Sequence, residues 1–228
     1  MCKQHMYLVK EIYLTLQGEG AQAGRVAVFC RFCGCNLWSG REEDRDLAEC
    51  MFCDTDFLGT NGPNGGRYSS PEDLSQKIVE IWSAGPQKEE PGQDSNIARL
   101  VVFTGGEPLL QLDGPLASSL KSLGFDVAVE TNGTRHLVTG IDWVTVSPKT
   151  KLDSILVRSG QELKLVYPQK HIQPKEFEEL DFGIFYLSPL WSSNQNVFRH
   201  NKEMAIEYCL KNPKWRLTMQ YHKIWGLS

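Results

Sequence analysis

The chain has 228 residues, with 24 Lys and Arg against 28 Asp and Glu, and therefore a formal net charge of −4 at pH 7. This charge argues against a basic protein that coats nucleic acid, and 41% hydrophobic with 23% charged residues excludes disordered and fibrous classes. No apolar run approaches the roughly 18 residues of a membrane span, and the polar start does not resemble a signal peptide. We therefore expect a cytoplasmic protein that binds neither nucleic acid nor a membrane.

Short apolar, β-branched runs alternate with segments of helical periodicity along the chain. Strands are predicted at Val26–Phe32, Leu100–Thr104, Val127–Thr131, Val144–Ser147, Leu163–Tyr167, Ile184–Ser188 and Trp215–Tyr221. Helices are predicted at Pro71–Ala84, with Ser70 as its cap, about Pro115–Leu123, near Lys175–Leu180 and at Asn201–Lys211. The alternation predicts one α/β domain over residues 1–228 with a mainly parallel sheet. Two stretches rich in Gly and Pro, Gly59–Gly66 and Gly85–Asn96, are expected to be surface loops.

The cysteines are strongly clustered. Five of the seven lie between Cys30 and Cys53, and only Cys2 and Cys209 lie outside that stretch. An odd number of cysteines cannot pair completely, and disulfides do not persist in a reducing compartment. Metal ligation is therefore the favoured reason for the clustering.

Cys35, Cys50 and Cys53 form a C-x14-C-x2-C pattern. Three thiolates suit a four-iron cluster whose fourth iron stays open to a small molecule. A structural zinc site would need a fourth ligand, which Cys30 or Cys33 could supply. The spacing alone leaves both metals open.

A second motif, Thr104–Pro108 (TGGEP), follows the apolar run Leu100–Phe103 and is expected at the carboxyl end of a strand. Ligands gather at that end in α/β folds, and the two glycines would allow a close approach to one. A simple chain-reversing turn is the alternative interpretation. The nearby thiolate motif favours the ligand site.

Together these motifs resemble the radical S-adenosylmethionine (SAM) superfamily, whose usual cysteine spacing has a shorter first gap. Six short motifs occur in matching order, namely LQGEG at Leu16–Gly20, FCGC at Phe32–Cys35, CDT at Cys53–Thr55, GGEP at Gly105–Pro108, ETNG at Glu130–Gly133 and SPK at Ser147–Lys149. The set is similar to the 7-carboxy-7-deazaguanine synthase family, in its branch with an expanded cysteine loop. The resemblance runs from about residue 11 to the C-terminus.

The resemblance implies a partial (β/α) barrel of radical SAM type, with the cluster loop at about residues 33–56 and a C-terminal segment, about 213–228, that closes the substrate pocket. It also implies a reaction of queuosine and 7-deazapurine biosynthesis, in which 6-carboxy-5,6,7,8-tetrahydropterin becomes 7-carboxy-7-deazaguanine with loss of ammonia. The implied cofactors are a 4Fe-4S cluster, SAM and Mg²⁺. A reduced cluster would cleave SAM, and the resulting 5′-deoxyadenosyl radical would take a hydrogen from the substrate.

The same resemblance assigns cofactor roles by position. Cys35, Cys50 and Cys53 would bind the cluster, Cys30 and Cys33 would be bystanders, and Thr55 would bind magnesium. The expected SAM-binding residues are Phe52, Asp54, Gly106, Glu107, Ser147, Pro148, Lys149, Ser188 and Trp191. A threonine that caps a turn and a packing tryptophan are the simpler alternatives for Thr55 and Trp191.

The substrate residues implied by the resemblance come from both ends of the chain. They are Leu16, Gln17, Gly18, Glu19, Arg31, Thr104, Glu130, His222 and Ser228. Arg31 would bind the substrate carboxylate, since a guanidinium matches it bidentately. Glu130 could instead precede an ordinary Asn-Gly turn, and His222 could be a surface histidine.

Two alternative functions remain open at this point. A radical SAM activating enzyme would share the cysteines and the GGE sequence, and a non-catalytic zinc-binding module would explain the cysteines alone. The resemblance further implies a homodimer and a flavodoxin-type electron donor.

Overall fold

The computed structural model describes residues 6–86 and 98–227, which form two compact units. The first unit comprises the described residues of Met1–Thr15, Val26–Glu130 and Leu137–Trp143, and the second those of Leu16–Arg25, Thr131–His136 and Val144–Ser228. Within the described parts of the chain, no helix has the length and apolarity required to cross a bilayer. The assignment of residues 1–228 to one domain stays a prediction, and most of the predicted loop Gly85–Asn96 lies outside the described residues.

The first unit contains five strands and two helices. Its elements are β1 (Tyr7–Leu16), β2 (Val26–Phe32), β3 (Gly66–Tyr68), α1 (Pro71–Ser83), β4 (Arg99–Gly105), α2 (Gly114–Ser122) and β5 (Phe125–Thr131). The strand order is β3-β1-β2-β4-β5. Strands β2, β4 and β5 are mutually parallel, and β3 pairs antiparallel with β1. The carboxyl ends of the three parallel strands therefore lie at the same edge of the sheet.

Strands β2 and β4 are buried on both faces, which explains their nearly continuous apolar sequences. On one face, Phe29, Leu100 and Val102 belong to a core cluster. Helix α1 begins as predicted, because the Ser70 side chain accepts a hydrogen bond from the Asp73 N–H at 3.1 Å. The helix buries three large apolar side chains, Leu74, Ile78 and Trp82, each of which stabilises the unit by about 1.5–3 kcal/mol or somewhat more for the indole.

The second unit contains four strands in the order β6-β7-β8-β9. Its elements are β6 (Trp143–Val146), β7 (Ser159–Tyr167), β8 (Asp181–Pro189), α3 (Gln195–Lys211), β9 (Trp215–Leu217) and α4 (Tyr221–Trp225). All three strand pairs are parallel. The prediction of an α/β fold with mainly parallel strands is confirmed.

Several predicted elements differ from the structure. Strands β1 and β3 and helix α4 were not predicted, and the predicted helix at Lys175–Leu180 is only a single 3₁₀ turn, Pro174–Phe177. Helix α3 begins at Gln195 rather than Asn201, because the Asn194 side chain caps its first turn. The predicted strand Trp215–Tyr221 ends at Leu217, and Tyr221 instead starts α4.

Candidate cluster, cofactor and substrate residues

The backbone of Leu37 connects the two ends of the long gap between Cys35 and Cys50. Its N–H donates to the Cys35 sulfur at 3.4 Å, and its carbonyl accepts the N–H groups of Glu49 at 3.1 Å and Cys50 at 3.4 Å. The chain therefore departs from Leu37 after Cys35 and returns to Leu37 just before Cys50. The first cysteine and the C-x2-C pair are therefore held together despite fourteen intervening residues.

The C-x2-C turn is held by a cation from inside that gap. The Arg45 guanidinium donates to the carbonyls of Met51 at 2.8 Å and Cys53 at 3.1 Å. The pKa of Arg45 is raised, first by its hydrogen bond to Glu42 and further by the negative charge of the Cys53 and Cys50 thiolates. A fixed positive charge thus lies within electrostatic range of two of the three thiols.

The end of β4 packs directly on the segment that leads into Cys35. The Glu107 N–H donates to the Gly34 carbonyl at 2.9 Å. A Cβ added at Gly106 would lie 2.1 Å from the Gly34 carbonyl oxygen and 2.8 Å from the Cys35 Cβ. Only glycine allows this approach, so the Gly-Gly sequence brings the TGGEP motif against the cysteine loop.

The Cys35 thiol is close to negatively charged groups and to backbone N–H groups. Burial raises the pKa of the Cys35 thiol, and the negative charges of Glu107 and Cys53 raise it further, while the backbone N–H groups of Leu37 and Trp38 lower it. Glu107 is fully buried, and its carboxylate accepts the Leu109 N–H at 3.0 Å. The thiols of Cys35 and Cys53 and the Glu107 carboxylate therefore belong to one local environment.

This donor set fits an iron–sulfur cluster. Its three thiols belong to one loop, and backbone N–H groups point at one of them, as in sites where hydrogen bonds to sulfur tune the cluster. Among residues 6–86 and 98–227, no three His, Cys, Asp or Glu side chains are grouped as ligands of a single metal ion. Cluster thiolates bind separate irons, and so they lie farther apart than the ligands of one zinc ion.

The two neighbouring cysteines have different surroundings. Cys30 lies in β2 and is fully buried, which strongly raises the pKa of its thiol. The Cys33 thiol donates to the Gly59 carbonyl at 2.8 Å. The bystander role of both thiols stays a prediction, since burial raises the pKa of Cys30, Cys33 and Cys35 alike.

The segment that follows Cys53 is fixed by a buried lysine. The Lys10 ammonium donates to the Asp56 carboxylate at 2.7 Å, the Leu58 carbonyl at 2.9 Å and the Asn61 side chain at 3.0 Å. These acceptors engage all three of its donors. Lys10 thereby holds the chain immediately after Thr55, which is half-buried, whereas Asp54 is exposed and Phe52 half-buried.

Arg31 has two partners inside the first unit. Its Nε donates to Glu11 at 2.8 Å and one of its terminal nitrogens donates to the Tyr13 hydroxyl at 3.2 Å. Burial lowers the pKa of Arg31, but Tyr13 and Glu11 outweigh it and raise the pKa overall. Thr104 is paired in register with Arg31 across β2 and β4. Glu130, which is half-buried, lies in β5.

In the second unit, the loop Leu16–Gly20 is held by an internal hydrogen bond and by polar contacts with Thr218 and Glu162. The Gln17 side chain accepts the Glu19 N–H at 3.1 Å, and the Gly20 N–H donates to the Thr218 hydroxyl at 3.0 Å. The Glu162 carboxylate accepts the Ala21 N–H at 2.8 Å and the hydroxyl of Thr145 at 2.8 Å. The loop is thus anchored on β7 and on the segment after β9.

The C-terminal helix α4 packs against Gly18. The Tyr221 N–H donates to the Gly18 carbonyl at 2.9 Å, and a Cβ on Gly18 would lie 2.5 Å from the Nδ1 atom of His222. The structure therefore brings together His222 and the Gln17–Glu19 loop, which the sequence analysis had grouped. Ser228 lies outside the described residues.

The other predicted residues of this unit form two further groups. The Lys149 ammonium donates to the Ser147 hydroxyl at 2.5 Å, and the Pro148 carbonyl accepts the Gln169 side chain at 3.2 Å. Ser188 is buried at the end of β8. Trp191 packs on Phe198 and is covered by the Lys223 ammonium, 4.3 Å from the ring centroid.

Several charged residues that hold these segments were not predicted from the sequence. Lys10, Glu11, Arg45, Glu162 and Lys164 received no role. The sequence does contain a signal for Glu162 and Lys164, because charged and apolar residues alternate along β7. The two charged residues are only 3% and 5% exposed in the structure. A charged face on a strand that is buried on both sides indicates a polar interior site rather than a solvated surface.

A parallel α/β fold in which a three-cysteine loop meets a Gly-Gly-Glu turn at the strand ends defines the class as radical SAM proteins. No family model matches the chain. It is 52% identical over 221 residues to 7-carboxy-7-deazaguanine synthase from Caulobacter vibrioides, covering 97% of this chain and 99% of that protein. It is 49% identical over 217 residues to the synthase of the same name from Burkholderia multivorans, covering 95% and 97%. The chain belongs to the 7-carboxy-7-deazaguanine synthase family.

The fold agrees with a solved structure. The crystal structure of QueE from Escherichia coli superimposes with a TM-score of 0.65 at 26% sequence identity, covering 95% of each chain. The relatives named as synthases match over nearly their whole length. These matches argue against both alternative functions, the activating enzyme and the zinc-binding module.

Proposed function

We propose that the chain converts 6-carboxy-5,6,7,8-tetrahydropterin to 7-carboxy-7-deazaguanine with loss of ammonia, in queuosine and 7-deazapurine biosynthesis. The observation that carries the proposal is the contact of Gly106 and Glu107 with the cysteine loop at Gly34 and Cys35. It joins the two features that radical SAM chemistry requires, a three-thiolate cluster loop and a glycine-lined cofactor site beside it. The names of the relatives support the specific reaction.

In this proposal Cys35, Cys50 and Cys53 hold a 4Fe-4S cluster, and Thr55 binds Mg²⁺ through its hydroxyl, a hard oxygen donor. The cluster and SAM, when bound, supply one-electron reduction and hydrogen abstraction. The protein positions them and excludes water. Lys10 contributes by fixing the chain after Thr55 through Asp56.

The residues proposed to hold SAM are Phe52, Asp54, Gly106, Glu107, Ser147, Pro148, Lys149, Ser188 and Trp191. The carboxylate of Glu107 suits the ammonium group of SAM. Since Glu107 is fully buried, that interaction would be strengthened by exclusion from water.

The substrate would be held by polar groups whose orientation is already fixed. Arg31 would bind its carboxylate, since Glu11 and Tyr13 orient the guanidinium, which has five N–H donors in all. Thr104 and Glu130 would bind other polar groups of the pterin. Leu16, Gln17, Gly18, Glu19, His222 and Ser228 are proposed to bind the heterocycle.

The proposal includes the partners and location expected from the family. The chain would act as a homodimer, receive electrons from a flavodoxin-type donor and work in the cytoplasm, where thiol ligands stay reduced. The substrate is a small molecule, and neither nucleic acid nor a membrane takes part.

The decisive experiment is an anaerobic assay of the reconstituted protein with the carboxytetrahydropterin, SAM, Mg²⁺ and a reductant. We expect 5′-deoxyadenosine and a product with the mass of 7-carboxy-7-deazaguanine. A colourless, zinc-containing protein without SAM cleavage would contradict the proposal. SAM cleavage without the deazaguanine would reject the substrate but keep the class.

Two residues can be tested separately. Thr55→Ala should weaken stimulation by Mg²⁺ while the iron content stays unchanged, and a loss of iron would show a structural role instead. A C-terminal tag should lower activity if Ser228 takes part. Activity that is undiminished by the tag would remove Ser228 from the site.

A further inference from the structure

Arg45 lies within the fourteen-residue gap between Cys35 and Cys50, and its guanidinium has two kinds of hydrogen-bond partner. It donates to the Met51 and Cys53 carbonyls, as described above, and it makes two hydrogen bonds to the Glu42 carboxylate, at 2.7 and 2.5 Å. Both carbonyls belong to the C-x2-C turn, Cys50–Cys53. A guanidinium can bind one carboxylate through two nitrogens and still donate to two carbonyls, whereas the ammonium of a lysine has only three donors.

The same guanidinium stacks on a buried ring. Its central carbon lies 4.1 Å from the centroid of the Trp38 ring, and Trp38 packs edge-on against Phe57 at 5.6 Å. Trp38 and Phe57 are 7% and 1% exposed. Arg45 therefore connects the cysteine turn to the apolar interior of the first unit, although its own segment, Glu42–Leu47, is a 3₁₀ helix without buried residues.

Arg41, four residues earlier, differs in every one of these respects. Its side chain is 68% exposed, against 26% for Arg45, and its ion pair is a 3.6 Å contact with Glu43, which is 74% exposed. An exposed pair of this kind contributes little to stability. The loop thus contains one arginine that is bonded to the cysteine turn, Arg45, and one that faces solvent, Arg41, which can serve as its control.

We propose that Arg45 is the positioning residue of the expanded cluster loop, holding the Cys50–Cys53 turn and supplying a positive charge that favours the reduced cluster. The inference rests on the proposed function in one respect, that Cys35, Cys50 and Cys53 hold a cluster. Reduction adds one negative charge to the cluster, and a nearby fixed cation stabilises that form more than the oxidised one. Arg45 would act through the thiolates and the turn, without contact with SAM or the substrate.

Three variants test the proposal: Arg45→Gln removes the charge, Arg45→Lys keeps the charge but loses the fork, and Arg41→Gln removes an equal charge from the same loop. Each protein is reconstituted anaerobically. Iron and sulfide are measured per chain, and the midpoint potential is measured by redox titration followed by electron paramagnetic resonance. Circular dichroism of the cluster-free proteins checks that each variant is folded.

We expect Arg45→Gln to bind less iron and to lower the ratio of reduced to oxidised cluster at a fixed potential by about tenfold, equal to about 59 mV for one electron. Arg45→Lys should bind less iron but keep a potential near that of the unsubstituted protein. Arg41→Gln should match the unsubstituted protein in both measurements.

Equal iron content and potential in Arg45→Gln and Arg41→Gln would overturn the inference. If Arg45→Gln retains too little cluster for a titration, Arg45→Lys decides, because full iron content in that variant would remove the positioning role. A potential as low in Arg45→Lys as in Arg45→Gln would remove the role of the charge. An unsubstituted protein that forms no cluster would instead contradict the proposed function, so the two failures are distinguishable.

Discussion

The ammonium group of Lys164 lies 2.5 Å from the carboxylate of Glu19, and the two side chains are only 6% and 15% exposed. Lys164 belongs to β7, and Glu19 belongs to the loop Leu16–Gly20 that we propose binds the substrate. Burying either charge alone would be costly, because each must lose its water. The pair therefore fixes the position of the loop on the strand.

Removing one member of this pair should destabilise the protein strongly. Glu19→Gln or Lys164→Met should each lower the free energy of unfolding by about 3–5 kcal/mol, because the remaining charge stays buried without its partner. The double variant should lose much less than the sum. Urea unfolding of the cluster-free proteins measures all three, and additive losses would show that the two side chains do not interact.

An exposed ion pair provides the control for this cycle. Glu207 and Lys211 are also 2.5 Å apart, but their side chains are 65% and 70% exposed on α3. Glu207→Gln should change the free energy of unfolding far less than Glu19→Gln does, as is usual for exposed pairs. A similar loss in Glu207→Gln and Glu19→Gln would mean that burial does not set the strength of the pair.

The Glu19–Lys164 pair also predicts a dependence of stability on pH. Burial raises the pKa of Glu19, but Lys164 and then the charge of His222 outweigh burial and hold the pKa below its ordinary value. The stabilisation is therefore complete above the unfolded pKa of about 4.3 and is lost as the pH falls through the lower folded value.

The stability difference between the unsubstituted protein and Glu19→Gln should consequently be large at about pH 7 and should shrink below about pH 4. Urea unfolding at the two pH values measures it. A difference that grows toward acid pH would reverse the sign and contradict a lowered pKa for Glu19.

The cysteine variants should fall into two groups. Cys35→Ala, Cys50→Ala and Cys53→Ala should lose the cluster and reductive SAM cleavage, since three thiolates are the minimum that holds the cluster with one open iron. Cys30→Ala and Cys33→Ala should keep most of both. Iron content and 5′-deoxyadenosine formation are measured together. Loss in Cys33→Ala but not in Cys35→Ala would show that Cys33 is the first ligand.

Gly106→Ala should disturb the cluster loop without unfolding the sheet. The added Cβ would meet the Gly34 carbonyl oxygen at 2.1 Å, which backbone cannot accommodate without moving away from β4. We expect reduced iron content and at least tenfold weaker SAM binding by anaerobic calorimetry. Gly66→Ala is the control, because its Cβ would make only an ordinary 3.7 Å contact. Unchanged SAM binding in Gly106→Ala would exclude a close cofactor approach at this turn.

Local signals in the sequence predicted the elements that depend on local physics. Ser70 and Pro71 marked the start of α1, and the buried runs of β2 and β4 identified central parallel strands. Where a short apolar run lacked a capping residue or a proline at its end, the predicted bounds of the strand were wrong. The run from Trp215 to Tyr221 is the example, since three residues form β9 and the remainder leads into α4.

The motif order predicted the candidate ligands, but not the side chains that hold them. Lys10 and Arg45 received no role, because the acceptors of Lys10 are 46 or more residues away. Arg45 pairs locally with Glu42, but its link to the cysteine turn runs through two backbone carbonyls six and eight residues away, which carry no sequence signature. Glu107 illustrates the same point within a motif. Its capping bond to the Leu109 N–H is local and could be anticipated, whereas its burial against the cysteine loop depends on tertiary packing.

The closure at Leu37 fixes both ends of the cysteine insertion at one peptide unit. Residues could therefore be added next to Ser39 or Ala48 while Cys35 and Cys50 keep their places, provided that Arg45 keeps its contacts with the C-x2-C turn. The entropy of closing a longer loop rises only slowly with its length. The expanded spacing therefore offers places where new segments could be grafted, as long as Arg45 and its partners in the C-x2-C turn are kept.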